Sequence, residues 1–125
     1  MAELSLLLLD GTFAVCRLGP DAPPPPWASA GPFLSVTRTA EGLSVVCLQD
    51  AVPEAVACER GWRCLRVAGT MPFSVVGVLS LTAPLAEAGI SVFAISTFDT
   101  DYLLVKAEDL AAAVEVLRQR GHTIQ

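Results

Sequence analysis

The sequence predicts an α+β fold of the ferredoxin-like, or split-βαβ, type, with elements in the order strand, helix, strand, strand, helix, strand. Two observations lead to this prediction. In residues 61–125, short runs of aliphatic and β-branched residues alternate with segments whose apolar residues recur at helical spacing. In addition, residues 37–46 resemble residues 96–105 in the placement of their apolar positions, which indicates an internal repeat. The chain is therefore expected to hold two such units in tandem.

The two halves of the chain are expected to differ in completeness. Residues 1–60 form a degenerate half that is rich in strands, residues 61–125 form a complete one, and the two are expected to pack as one compact unit. The consecutive prolines Pro23–Pro26 stand where the first half should have its first helix, and such a run favours an extended polyproline conformation. Only residues 52–59 remain for a second helix, which is expected to be short.

The second half begins with a strand at Trp62–Ala68, which glycines bound on both sides. A loop follows at residues 69–72. Its last residue, Pro72, suits the first turn of a helix because the N–H that proline lacks would be unpaired there. The helix is predicted over Phe73–Ala88, and Gly89 ends it.

Two apolar lines run along this predicted helix. One consists of Val75, Leu79, Ala83 and Ala86, and the other of Val78, Leu81 and Leu85. Together they offer more apolar surface than one sheet face can cover, so part of it is expected at an interface. Pro84 cannot donate a helical hydrogen bond, which predicts a bend or loosening late in the helix.

The remaining elements of the second half follow in order. Strands are predicted at Ile90–Ser96 and Tyr102–Lys106, and the polar residues 97–101 join them as a short hairpin connection. A helix begins at Glu108, with acidic residues at its positive end and apolar residues at helical spacing. Residues 122–124 are expected to form a last short strand.

Composition and charge exclude several classes of function. Apolar residues make up 53% of the chain, charged residues 17%, and the net charge is -5, so the surface lacks the positive field that binds nucleic acid. The long apolar stretch at residues 73–95 is interrupted by Pro84 and Glu87, which favours a helix and a strand over a membrane span. Leu4–Leu9 is too short for a signal-peptide core and follows Glu3, so a cytoplasmic location is expected.

The four cysteines, Cys16, Cys47, Cys58 and Cys64, include no C-x-x-C pair, and His122 is the single histidine. Neither a metal site nor a disulfide is expected, and Cys16 and Cys47 fall inside apolar, strand-like runs where a thiol packs as a small core residue. The sequence also has no glycine-rich phosphate loop and no motif for an activated nucleophile. No catalytic residue and no cofactor are therefore predicted.

One stretch of the sequence resembles a known family. Residues 84–105, which read PLAEAGISVFAISTFDTDYLLV, are similar to small bacterial proteins with paired ACT domains, a group related to the CASTOR-type arginine sensors. Residues 33–46 and 59–62 fit the bacterial group as well. The sensors carry four ACT modules in one chain whereas this chain carries two, so the resemblance implies a homodimer that restores four.

The resemblance also implies a site for a free amino acid or a similar small metabolite at an interface between ACT domains. In this family the turn after the first strand and the start of the second strand supply the site, and the sensors add the hairpin turn. The ligand-binding residues expected from the resemblance are Gly69, Thr70, Met71, Pro72, Phe73, Ser74, Ile90, Ser91, Val92, Phe93, Thr97, Phe98, Asp99, Thr100 and Asp101.

Two parts of this site have a chemical rationale, and each also has an ordinary structural explanation. The N–H groups of the turn at residues 69–72 can bind a ligand carboxylate at a helix N-terminus, or they can belong to a routine strand-to-helix turn. Asp99 and Asp101 can hold an ammonium or guanidinium group, with hydroxyls from Thr97 and Thr100, or these residues can form a solvated hairpin turn. The residues alone leave both alternatives open.

The sequence thus predicts a non-catalytic regulatory or sensing module whose ligand is an amino acid or a related small metabolite. The alternative is a structural module that dimerises, or docks onto a partner protein, and binds no small molecule. A pocket closed by Met71 or Phe98 would favour the interaction module, whereas an open cleft that joins both loops would favour the sensor.

Overall fold

The structure is a computed structural model that describes residues 3–68 and 75–125, the side chains of residues 75–79 excepted. The strands of these ranges are β1 (Ser5–Leu8), β2 (Phe13–Leu18), β3 (Ser35–Thr39), β4 (Gly42–Leu48), β5 (Ala57–Val67), β6 (Val92–Ser96), β7 (Asp101–Lys106) and β8 (Thr123–Ile124). The helices are α1 (Val75–Glu87) and α2 (Leu110–Gln119). Neither helix in the described ranges is long and apolar enough to span a membrane.

The chain divides into two compact units. The helical unit comprises Met1–Leu9 and Arg63–Gln125, and the strand unit comprises Asp10–Trp62. The boundary within β5 lies two residues after the predicted boundary between the halves. The start of the chain, however, belongs to the same unit as the second half, which differs from the predicted division at residue 60.

The first strand joins the helical unit because it fills a position in the sheet of that unit. β1 pairs antiparallel with β5, with Leu6 opposite Val67, and parallel with β8, with Leu6 opposite Ile124. The backbone N–H of Gln125 donates to the carbonyl of Leu6 in β1 at 2.8 Å, and the N–H of Thr123 donates to the carbonyl of Leu4, just before β1, at 2.9 Å. Pairing with strands that lie far away in the sequence therefore decides to which unit β1 belongs.

The helical unit has the predicted split-βαβ order, since β5, α1, β6, β7, α2 and β8 follow one another and β7 pairs with both β5 and β6. Its core contains side chains from the strands and from both helices. The buried members are Leu6, Leu65, Val67, Leu81, Leu85, Ile90, Leu103, Val105, Ala113 and Leu117. This α+β, ferredoxin-like arrangement confirms the predicted fold class.

Of the members of the two apolar lines whose side chains are described, those of the second line are the buried ones. Leu81 and Leu85 are fully buried, whereas Ala83 and Ala86 are exposed. At these four positions leucine side chains bury more apolar area than alanine side chains would, so the orientation with Leu81 and Leu85 in the core is the more stable one. Pro84 lies inside the helix, which continues to Glu87.

In the strand unit, β2 lies between β4 and β5, and β3 pairs with β4. The core of this unit consists of Ala14, Cys16, Ala28, Leu43, Val45, Cys47 and Val52. Part of the proline-rich segment, Pro26–Ser29, forms a short 3₁₀ turn that places Ala28 in this core. The predicted abundance of strands in this half is confirmed.

The prediction of a short second helix at residues 52–59 is wrong. All residues of the strand unit are described, and β5 already begins at Ala57. The guanidinium group of Arg60 donates to the carbonyls of Gln49 at 2.9 Å and of Val52 at 3.4 Å. Gln49 belongs to a short 3₁₀ turn, Gln49–Ala51, and Val52 follows it, so these bonds satisfy carbonyl groups of the connection between β4 and β5.

Gly61 lies within β5 and does not bound it. The pairing register between β2 and β5 shifts between Phe13 and Val15, which is the pattern of a β-bulge. Gly61 has a φ of +85°, and its N–H donates to the side-chain oxygen of Gln49 at 2.9 Å. A positive φ favours glycine, so a glycine that seems to end a strand in the sequence instead lets the strand continue.

Substitution of Gly31 by alanine tests the packing of the strand unit. Gly31 has a φ of +100°, and an added Cβ would lie 2.4 Å from Cδ1 and 2.7 Å from Cγ of Leu48. We expect Gly31→Ala to lower the free energy of unfolding by about 1–3 kcal/mol through backbone strain and overpacking. Urea unfolding followed by circular dichroism measures this change.

The matched control is Gly19→Ala, because nothing lies within 4 Å of a Cβ added at Gly19 and its φ is not positive. We expect this variant to differ from the parent protein by no more than about 0.5–1 kcal/mol. Equal destabilisation by both substitutions would contradict the assigned conformation of Gly31.

Candidate functional site

The predicted hairpin connection between β6 and β7 is a tight turn built around one threonine. The hydroxyl of Thr97 donates to the carbonyl of Thr100 at 2.9 Å and accepts the N–H groups of Asp99 and Thr100 at 3.3 Å and 3.2 Å. Threonine commonly forms such local bonds in turns. The Thr97 hydroxyl therefore shapes the turn, while the side chain of Asp99 is exposed.

Thr100 attaches this turn to the neighbouring strand. Its side chain is 2% exposed, and its hydroxyl donates to the carbonyl of Val67 at 2.9 Å. Val67 is the last residue of β5, and the predicted ligand-binding turn follows two residues later in the chain. The predicted site residues Gly69, Thr70, Met71, Pro72, Phe73 and Ser74 lie outside the described residues.

Asp101 is the buried acidic residue of the predicted site. Its side chain is 8% exposed, and its carboxylate oxygen Oδ1 accepts a hydrogen bond of 2.6 Å from the hydroxyl of Ser96. Ser96 and Asp101 are register partners, so both side chains lie on the same face of the β6–β7 pair. A carboxylate offers about four acceptor positions, and a carboxylate removed from water is stabilised by charged or hydrogen-bonding partners.

The other predicted residues divide between the core and the surface. Ile90 is buried in the core of the helical unit, and Val92 packs against that core. Ser91 is exposed, and Phe93 is half-buried. Phe98, in the turn, is 83% exposed. Within the described part of the site, Asp101 thus stands out as a buried charged group.

The strand unit contains a cleft that the sequence did not reveal. Its volume is about 540 Å³, and its lining includes Cys16, Arg17, Glu41, Ser44 and Cys58. The guanidinium group of Arg17 donates to the carbonyl of Glu41 at 3.1 Å. The alternating pattern of β2 and β4 indicates which residues share a face, but the cleft depends on the register between strands, which a single sequence does not display.

The cysteines are free thiols. Burial, with smaller contributions from the thiols of Cys47 and Cys58, raises the pKa of Cys16 to about 12. Burial alone raises the pKa of Cys64 to about 12 as well. These two thiols therefore remain protonated at neutral pH, and a protonated thiol is a poor nucleophile. Among residues 3–68 and 75–125, no cluster of histidine, cysteine and acidic side chains is arranged to hold a metal ion.

The chain is similar to several curated proteins. A mouse protein named cytosolic arginine sensor for mTORC1 subunit 1 is 30% identical over 105 residues, which cover 75% of this chain and 32% of that protein. The human protein of the same name is 38% identical over 61 residues, which cover 47% of this chain and 18% of that protein. The chain thus spans a third or less of the length of these relatives.

Solved structures share the fold. A crystal structure of an Agobacterium tumefaciens protein has a TM-score of 0.94 and 39% identity, and the match covers 100% of this chain and 94% of that chain. A Vibrio cholerae protein described as a possible transport protein has a TM-score of 0.73 at 20% identity, with coverage of 94% and 90%. The regulatory subunit of aspartate kinase from Thermus thermophilus has a TM-score of 0.60 at 13% identity, with coverage of 95% and 99%.

Family models match both parts of the chain. A model of an N-terminal domain matches residues 11–55, most of the strand unit. The model of the ACT domain matches residues 57–119, which contain β5, both helices, β6 and β7. The ACT model covers half of the chain, and the solved neighbours share its fold. The chain therefore belongs to the ACT domain family.

Proposed function

We propose that this protein is a non-catalytic regulatory module that binds a free amino acid, and that Asp101 binds the cationic group of that ligand. The observation that carries the proposal is the burial of Asp101 at the start of β7. Removing a carboxylate from water is unfavourable unless a partner compensates for the lost hydration. A ligand ammonium or guanidinium group supplies such a partner through charge-assisted hydrogen bonds.

The neighbours of Asp101 support this role. Ser96 donates to one carboxylate oxygen and so orients the group, and the bond from Thr100 to Val67 holds the turn against the end of β5. A carboxylate that is oriented before binding loses less side-chain entropy when a ligand arrives. Thr97 and Thr100 thus shape the proposed site, and Asp101 contacts the ligand.

The remainder of the proposed site rests on the family. We assign the ligand carboxylate to residues 69–74, the predicted turn and helix start, because backbone N–H groups at a helix N-terminus suit an anion. We assign Ile90–Phe93 to the wall of the site at the start of the second strand. The names of the curated relatives, which are cytosolic arginine sensors, make arginine the first ligand to test and the cytoplasm the proposed location.

We also propose that the ligand lies where ACT units of two chains meet in a homodimer. The mouse and human arginine sensors are at least three times as long as the segments that match this chain, so a second copy of this chain would supply further modules. The large exposed fraction of Phe98 suits a position beside such an interface. Multi-angle light scattering with and without ligand measures the mass of the assembly.

Thermal-shift measurements with a panel of free amino acids, followed by calorimetry, test whether the protein binds an amino acid and which one. Ligand at about 100 times its dissociation constant stabilises a protein by about 2.7 kcal/mol, which moves the unfolding midpoint of a domain of this size by several degrees. We expect a selective shift with one class of amino acid. No shift with any amino acid at millimolar concentration would contradict the proposal.

Two matched substitutions separate the role of Asp101 from a general effect of charge. Asp101→Asn retains an oxygen that accepts from Ser96 but removes the negative charge, so we expect the dissociation constant to rise about 10-fold or more. Asp99→Asn makes the same change of charge at an exposed position of the same turn, and we expect an effect within about twofold. Equal weakening by both substitutions would contradict direct contact with Asp101.

A protein-interaction module that binds no small molecule is the second candidate function. The observation in its favour is Phe98, a large apolar side chain that is 83% exposed at the turn between β6 and β7. Exposed aromatic side chains are enriched among the residues that dominate protein interfaces. If the amino acid panel gives no shift, but Phe98→Ala reduces the mass of the assembly, this second function is the one supported.

A further inference from the structure

The cleft of the strand unit lies on the face of the sheet that carries the side chain of Arg17. Ser44 on β4 and Ala57 on β5 are the register partners of Arg17 on β2, and residues directly opposite one another share a face. Cys16 and Cys58 are register partners as well, one position along each strand, so their thiols point to the other face, toward the core of this unit. The chemistry of the cleft is therefore that of its polar side chains.

Small side chains around Arg17 make room for the cleft. Gly42, Ser44 and Ala57 all line it, and none of them fills the space above the sheet. The volume of about 540 Å³ falls within the range of about 300–1,000 Å³ that is typical of small-molecule sites. Every lining residue belongs to the strand unit, so this unit by itself supplies a space large enough for a small metabolite.

The guanidinium group of Arg17 is held in place across Gly42. A Cβ added at Gly42 would lie 3.4 Å from Nε and 3.7 Å from Cγ of Arg17, so the missing side chain is what lets Arg17 lie there. Nη2 of Arg17 donates to the carbonyl of Glu41 at 3.1 Å. Within the described part of the chain, no carboxylate forms an ion pair with this group. A guanidinium group has five N–H donors, so most of them remain for a ligand.

The cleft also carries negative charge. Glu41 and Glu59 both line it. The backbone of Glu41 is fixed on both sides, because its N–H donates to the hydroxyl of Thr39 at 3.2 Å and its carbonyl accepts from Arg17, while its side chain is exposed. Two carboxylates beside one guanidinium group repel a phosphate or a dicarboxylate. A ligand that carries one carboxylate and one ammonium group is attracted by both kinds of charge.

We propose that this cleft is a second binding site for a free amino acid, in which Arg17 binds the carboxylate and Glu41 binds the ammonium group. Guanidinium and carboxylate groups form paired, charge-assisted hydrogen bonds, which suits Arg17 to this role. The hydroxyl of Ser44, the register partner of Arg17, is placed to donate to the same carboxylate. None of these residues belongs to the site proposed around Asp101, so the two proposals stand or fall separately.

An NMR titration of the ¹⁵N-labelled full-length protein tests the proposal with four probes. L-alanine carries both charged groups, propionate lacks the ammonium group, ethylammonium lacks the carboxylate, and inorganic phosphate is an anion alone. With L-alanine we expect saturable shifts of the Nε–H signal of Arg17 and of the amide signals of Ser44 and Ala57. The other three probes are expected to bind at least about 10-fold more weakly. No saturable shift of these signals with L-alanine, or equal binding of propionate or phosphate, would overturn the proposal.

Matched substitutions identify the groups that bind the probe. Arg17→Gln is expected to raise the dissociation constant of L-alanine at this site at least about 10-fold, because the guanidinium group is gone. Arg120→Gln removes an exposed arginine that pairs with Glu87 in the helical unit, and its effect is expected to stay within about twofold. Asp101→Asn is expected to leave the shifts of Ser44 unchanged. Equal weakening by Arg17→Gln and Arg120→Gln, or loss of the Ser44 shifts in Asp101→Asn, would overturn the proposal. Circular dichroism verifies that each variant is folded, and the titration of the parent protein decides the question whether or not a variant folds.

Discussion

Deletion of residues 1–9 is expected to abolish cooperative folding of the helical unit. β1 lies between β5 and β8 in the sheet of this unit and forms hydrogen-bonded pairs with both strands. Its removal would expose backbone groups on β5 and β8 and open the core where Leu6 is fully buried. The buried ring of His122 would also lose its partner, because its Nδ1 accepts the N–H of Leu4 at 3.1 Å.

The dispersion of the amide resonances in an NMR spectrum, together with urea unfolding, measures the effect of the deletion. A milder substitution, Leu6→Ala, is expected to lower the free energy of unfolding by about 2–5 kcal/mol by leaving a cavity. Ser5→Ala on the same strand is the control, since the Ser5 side chain is exposed, and its effect is expected to be within about 0.5 kcal/mol. A deleted chain that still unfolds cooperatively at the same urea concentration would contradict the position of β1 within the sheet.

Substitution of Phe13 by alanine is expected to have the next largest effect. Phe13 is a fully buried residue of β2, and its ring packs edge to face against Phe33, with ring centroids 6.2 Å apart and planes at 80°. Removal of a buried phenylalanine ring generally lowers the free energy of unfolding by about 3–5 kcal/mol. We expect Phe13→Ala to fall in this range in urea unfolding.

A double-mutant cycle with Phe33→Ala measures the contact between the two rings. We expect a coupling of about 0.5–1.5 kcal/mol, which is typical of edge-to-face aromatic pairs. The control is Leu34→Ala, next to Phe33 in the chain but 43% exposed, and its effect is expected to be small. A coupling near zero would mean that the rings do not pack against each other as described.

The candidate site shows how much of a binding site the types and spacing of residues can predict. The types and spacing of the residues in the β6–β7 turn pointed to a cationic ligand, and the resemblance to ACT domains pointed to the same turn. Nothing in the sequence distinguished Asp99 from Asp101, whereas in the structure Asp99 is exposed and Asp101 is buried. The difference arises because Asp101 pairs with Ser96 inside the hairpin, while Asp99 lies in the turn that joins the strands.

The sequence by itself determined the elements of the helical unit and its family. Periodicities of two and of 3.6 residues are local properties, so β6, β7 and α2 could be predicted close to their observed bounds, as could the glycine that follows α1. The ACT resemblance rested on a contiguous stretch, residues 84–105, and needed no knowledge of tertiary contacts. The degenerate character of the first half likewise followed from its prolines.

Only the tertiary structure decided which distant segments meet. The insertion of β1 between β5 and β8, the bulge at Gly61 and the opposition of Cys16 and Cys58 depend on strand registers. A register is set by the total burial and hydrogen bonding of two segments far apart in sequence, and the local pattern of either segment is compatible with several registers. For that reason the sequence identified Asp99 and Asp101 together as candidate ligands, but not which of the two is buried.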